Sequence, residues 1–377
     1  MLIYLALSTL AVLTAALCLL ALGALPLPAA VHGVFAVGVL PLIIGVISHF
    51  LPVLTRSGQA PRGILLAPPL LQLCGGLTVL HFLGQIDDRQ LSLTALSAMT
   101  VVGVFAGWTI LRARRTLGRP HPCWRWYLAA LICLLFALAL VPAMEHWPAA
   151  HIALRRLHIH LNSLGFVGLT ALGTLQVLLP TVVGKPDAGA ATRLRHDLPL
   201  AVAGVSAVAF GAAFWRPLTI AGALILAIPA LKTAAAWWLH YGPTTVKAPA
   251  AALLVALTGF FLLLPGGMAH ALNWLDGRDA VLAFIVAFLL PLLSGALAQL
   301  LPVWWYPGKR TPARLRMHDS LRRGGVGQPL FFLAGGILLG MGIDGGIWLT
   351  AIGLLSLAIA LAKAICADGE TPTSASE

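Results

Sequence analysis

The residues of this 377-residue chain best suited to chemistry are histidines. In "LRRLHIHLNSLGFVGLTALGTLQVLLPTVVGKP", Leu154 to Pro186, His158 and His160 stand where the chain enters an apolar run of membrane length. Neutral imidazole is the commonest protein ligand for iron and copper, and the facing helices of a bundle are where such ions are held. His32 opens a second apolar run, and His81, His146, His151 and His270 lie at the corresponding ends of other runs or in the loops beside them. The competing reading is a helix-end imidazole bonded to a backbone carbonyl or a lipid headgroup. Little else competes for a site. Cys18, Cys74, Cys123, Cys133 and Cys366 are scattered singly, with no disulfide or metal spacing and no C-x-x-C-H for covalent haem. No phosphate-binding glycine loop, Ser-His-Asp set or pair of intramembrane carboxylates is present.

The elements that must position these histidines are membrane helices. A mean hydropathy of +0.94 with 10% charged residues is incompatible with a water-exposed surface on a chain of this length. Apolar runs of roughly twenty residues, enough to cross a hydrocarbon core, recur at 2–23, 31–54, 63–84, 91–111, 126–144, 157–182, 198–214, 217–240, 248–268, 279–305, 327–343 and 345–366. The expectation is an all-α polytopic bundle of about twelve transmembrane helices, forming one transmembrane domain over 1–366. The polar residues 367–377 read as a disordered cytoplasmic tail. The first run has no basic leader and is too long for the core of a signal peptide, so it reads as a helix.

The net charge of +12 follows the same layout. Loops after even-numbered runs hold most of the Lys and Arg, among them Arg112, Arg114, Arg115, Arg193, Arg195, Arg314 and Arg316. The opposite loops hold Arg89, Arg155, Arg156, Arg216 and Arg278 together with Asp87, Asp88, Glu145, Asp276 and Asp279. Basic loops stay in the cytoplasm, which places both termini inside and the histidine ends outside. The basic balance thus reports topology and contact with membrane lipid, and no nucleic-acid partner is expected.

An internal repeat organises the runs. "VHGVFAVGVLPLIIGVISHFLP" (31–52), "IHLNSLGFVGLTALGTLQVLLP" (159–180) and "VLAFIVAFLLPLLSGALAQLLP" (281–302) align without gaps, sharing Gly45, Gly173 and Gly295 and a terminal Leu-Pro. "RLRHDL" after the second and "RLRMHDSL" after the third extend the match. Three parallel four-helix repeats are implied, at about 1–111, 126–240 and 248–366. His32 and His160 occupy the same repeat position, so at about 1.5 Å per residue they lie at one depth; the third repeat has Leu282 there. His158 points from a different face of its helix.

The stretch "HIHLNSLGFVGLTALGTLQVLLPTVVGKP" resembles the signature helix of the NnrS family, in the residues His158, His160, Gly165, Gly173, Pro180, Gly184, Lys185 and Pro186. "VHGVFAVGV" is similar to the start of the second helix of haem-copper oxidase subunit I, whose histidine binds a low-spin haem, and that superfamily is built from three four-helix arcs. The resemblance implies b-type haem, with copper as a second metal, and a role in tolerance of nitric oxide or in respiratory nitrogen-oxide metabolism at the bacterial inner membrane. An electron donor from a respiratory chain is then a partner. Leu161 replaces the family's usual acidic residue, and the tenth run lacks the oxidases' histidines, as the chain lacks their adjacent His-His and His/Tyr pairs. Proton-pumping oxygen reduction is therefore not implied.

These readings give His32 and His160 as axial haem ligands, with His158 and His81 as further cofactor contacts, and His158, His160 and His270 as metal ligands. Arg155, Arg156 and Arg278 are available to haem propionates. Catalysis, sensing and metal delivery all stay open. The alternative is a twelve-helix transporter of a small solute or metal, although transporter repeats are commonly twofold rather than threefold.

Overall fold

A computed structural model describes residues 1–247, 249–322 and 325–366. The expected disordered tail, 367–377, lies outside the described residues. Among those residues there are helices and no strands. Eleven helices are long and apolar enough to cross a membrane. They are α1 (Leu2–Ala21), α2 (Leu27–Leu54), α3 (Arg62–Phe82), α4 (Asp88–Arg114), α5 (Cys123–His146), α6 (Pro148–Val183), α7 (Ala190–Phe214), α8 (Arg216–Val246), α9 (Ala250–Ala271) and α10 (Gly277–Trp305), followed after a short helix α11 (Pro312–Arg322) and the 14-residue apolar α12 (Gly327–Gly340) by α13 (Gly346–Cys366). All twelve expected runs are helical, the eleventh falling on α12, which is shorter than a full crossing.

The helices that carry the aligned segments are the inner ones. In α2, α6 and α10, 61, 72 and 78% of the most apolar stretch is buried, against 50% or less in every other spanning helix. Each of the three also widens into a π-helical segment at the same place in the alignment: Gly33–Val39, Leu161–Gly168 and Phe284–Leu289. In α2 and α10 the cause is legible. Pro41 and Pro291 stand just after the segment, where each lacks the N–H that an α-helix would donate to the carbonyl four residues back. The ladder must reset there, and a π turn is one way of resetting it.

The widened turns press on glycines. A Cβ on Gly75 of α3 would stand 2.4 Å from the Ala36 carbonyl oxygen of α2, and one on Gly259 of α9 would stand 2.0 Å from that of Ala287 in α10. The Thr9 hydroxyl of α1 shares its proton between the Leu5 carbonyl of its own helix at 2.6 Å and the Gly38 carbonyl of the π segment at 3.0 Å. The shared repeat glycines have one role throughout. Gly45, Gly173 and Gly295 admit Leu5 of α1, Trp126 of α5 and Leu253 of α9 so closely that a Cβ would meet them at 2.6, 2.7 and 2.8 Å. Small residues at such crossings let helices approach where lipid supplies no hydrophobic drive.

The chain forms two compact units. The first comprises Met1–Val177 and Ala188–Pro229, the second Leu178–Asp187 and the residues from Ala230 onward. In the first unit α5 is anchored by polar contacts: the Trp126 indole donates to the Leu194 carbonyl at 2.8 Å and the Tyr127 hydroxyl lies 3.1 Å from that of Thr174. In the second unit α12 and α13 meet through Gly335 and Gly346, and α11 buries Met317 and Leu321 while leaving Leu315 half exposed.

Candidate metal centre

Three of the candidate histidines lie at one end of the first unit's helices. His32 is the last α-helical residue before the π segment of α2, His158 lies three residues before that of α6, and His81 is in the last turn of α3. The His32 and His158 rings are 6.4 Å apart, centroid to centroid, with planes inclined by 29°. The Phe82 ring stacks on His32 at 4.5 Å and meets His81 edge-on at 5.0 Å, so Phe82 bridges His81 to the pair.

Backbone carbonyls fix the orientation of each ring. His32 Nδ1 is 2.7 Å from the Pro28 oxygen and His158 Nδ1 is 2.9 Å from the Ala137 oxygen on α5. A carbonyl only accepts, so Nδ1 carries the proton in both rings and Nε2 keeps its lone pair. That is the arrangement in which a metal-ligating histidine is held: one nitrogen donates to a fixed acceptor and the other is presented to the ion. With metal–nitrogen bonds of about 2 Å, two imidazoles on one ion have centroids roughly 5–6.5 Å apart, depending on the angle between them. The separation of His32 and His158 falls within that span.

The repeat-equivalent His160 shares the local conformation of His32. Its Nδ1 donates to the carbonyl of Arg156, four residues back, as His32 donates to that of Pro28. Two residues along a helix turn the side chain through about 200°, so His158 and His160 project from opposite faces of α6. The ring that the structure sets beside His32 is that of His158, which reaches across to α5.

His81 and His270 share a different local device. In "HFLGQID" and "HALNWLD" the imidazole Nδ1 donates to the carbonyl five residues on, Ile86 at 3.1 Å and Leu275 at 2.9 Å. Gly84 and Asn273, with φ of 75° and 61°, make the left-handed turn that brings that carbonyl back. Asp87 and Asp276 then cap the next helix by accepting from the N–H groups of Gln90 and Arg278. The two histidines therefore staple short interhelical loops. His81 Nε2 also lies 3.6 Å from the Asp88 carboxylate, whereas His270 belongs to the second unit.

The remaining candidates lie apart from the pair. Arg156 donates to the Ala212 carbonyl at 3.4 Å, and Arg155 is exposed. His146 and His151 are exposed, and His49 lies near the other end of α2. No group of three or more His, Cys, Asp or Glu side chains arranged to hold a metal ion occurs among the described residues.

Two contributors escaped the sequence reading. Phe82 is conspicuous only once α3 is seen beside α2. Asn162 was legible as the i+4 neighbour of His158: its amide nitrogen lies 2.9 Å from the His158 carbonyl and 3.2 Å from His158 Nε2. No protein-family model and no curated protein matches this chain.

Proposed function

We propose that the chain is an integral membrane haem protein of the NnrS type, in which His32 and His158 would hold the haem iron. The observation that carries this reading is the pair of rings 6.4 Å apart, each with Nδ1 committed to a backbone carbonyl. The donor set fits haem iron, for which neutral imidazole is a common protein ligand. Bound haem would supply one-electron chemistry at the pair, while the Pro28 and Ala137 carbonyls orient the two rings and Phe82 packs on the face of His32. The basic loops at the opposite helix ends support a location of the pair towards the outside of a bacterial inner membrane, with both termini cytoplasmic.

The shared π segments, the equivalent glycine contacts and the inner positions of α2, α6 and α10 support a plan of three parallel four-helix repeats. The role implied by the resemblance is handling of nitric oxide or a related nitrogen oxide. A pyridine haemochrome assay with elemental analysis on the purified protein tests the reading: about one haem per chain is expected. A colourless, iron-free and copper-free protein would overturn it and favour transport.

A further inference from the structure

The two rings of the pair differ in what occupies Nε2. His32 Nε2 makes no hydrogen bond among the described residues, whereas His158 Nε2 accepts one from the Asn162 amide at 3.2 Å. The orientation of that amide is fixed independently. Asn162 also lies 2.9 Å from the His158 carbonyl oxygen, which requires the NH2 end of the amide on this side, and one hydrogen then points to each acceptor. The amide donor and the Ala137 carbonyl acceptor select the same His158 tautomer from opposite sides of the ring. Asn162 is at the start of the π segment of α6, one turn after His158, so it keeps this place without reaching across to another helix.

A nitrogen lone pair either accepts a hydrogen bond or ligates a metal. We infer that the Asn162 amide competes for His158 Nε2, which makes His158 the exchangeable ligand of the pair and its side of the metal the side on which a small neutral diatomic ligand binds. His32, with no competing donor and with Phe82 stacked on its face, is the retained ligand. Without a metal, His158 Nε2 accepts from the Asn162 amide and both ring nitrogens are satisfied; were Nε2 committed to a metal, the amide would still have the His158 carbonyl. Asn162 is thus a positioning residue that lowers the cost of opening one coordination position. This inference rests on the haem reading above and concerns the same site.

Carbon monoxide titration of the reduced, detergent-purified protein, followed in the Soret band, tests it. The wild type is expected to form a carbon monoxide complex. Asn162→Leu, which keeps the branching at Cγ and removes the donor, and Asn162→Ala are expected to retain full haem content with carbon monoxide affinity lowered about fivefold, the effect of one neutral hydrogen bond. Unchanged affinity in haem-replete variants would overturn the inference and leave the haem reading intact. Loss of haem from both variants would also overturn it, because a residue that only competes for the released nitrogen is not needed to hold the bound group. A wild-type protein without a Soret band would remove the haem reading itself.

Discussion

The imidazoles of His32 and His158 lie on two different helices and 6.4 Å apart, near-parallel, with the Nδ1 of each bound to a backbone carbonyl. Backbone acceptors do not titrate or rotate away, so the two Nε2 atoms are held in place before anything binds. His160, His81 and His270 also commit Nδ1 to a backbone carbonyl, so what sets His32 and His158 apart is the closeness of their rings.

On the proposed haem assignment, replacing either ring should alter the optical spectrum. His32→Ala and His158→Ala are each expected to bleach or shift the Soret band of the purified protein, while His49→Ala and His121→Ala leave it unchanged. A Soret band that survives in both His32→Ala and His158→Ala would refute the ligand assignment.

The placement of the pair depends on orientation. Reporter fusions at Gly118 and Gly325 should read cytoplasmic, and one at Trp147 periplasmic, because the basic loops follow the even-numbered runs. A periplasmic signal at Gly118 would invert the chain and move the histidines to the cytoplasmic side.

Adjacent glycines on α3 test the packing around the π segment. A Cβ at Gly75 would meet the Ala36 carbonyl oxygen at 2.4 Å, while one at Gly76 has nothing within 4 Å. Gly75→Ala is expected to destabilise the protein by about 1–3 kcal/mol, the usual cost of overpacking. Gly76→Ala should be neutral or stabilising by up to about 1 kcal/mol through helix propensity. The difference is read as a lower melting temperature in detergent for Gly75→Ala alone, and equal melting temperatures would show that the α2–α3 contact yields readily.

Two loop-side histidines give a pH dependence. Burial, reinforced by the Arg195 charge, lowers the pKa of His121 from 6.5, and burial followed chiefly by the Arg322 charge lowers that of His318. A base whose folded pKa is depressed is protonated more readily in the unfolded chain, so stability is full above pH 6.5 and falls as pH drops below it towards the folded values. The melting temperature in detergent should accordingly decline between about pH 7 and pH 5. His121→Gln and His318→Gln should each flatten that decline, and an unaltered slope in the double variant would show that other groups govern it.

The division between sequence and tertiary structure runs along particular residues. Hydropathy alone determined the helices, because a segment in hydrocarbon must satisfy its backbone internally and few alternatives to a helix exist. The gapless alignment found the three inner helices, and the glycines it shares turned out to be close helix crossings, since only the smallest side chain permits them. Pro41 and Pro291 carried the signal for the π segments, although the sequence reading drew nothing from them. Repeat equivalence put His32 and His160 at one depth, and the structure adds that each donates to the carbonyl four residues back. The equivalence also paired His32 with His160, whereas the ring beside His32 is that of His158. Positions related by a rotation converge only where they face the axis, and equivalence in sequence does not say which way they face. Convergence depends on which face of α6 turns towards α2, and that was decided by packing: the Ala137 carbonyl on α5 holds the His158 ring, and the fold sets that ring beside His32.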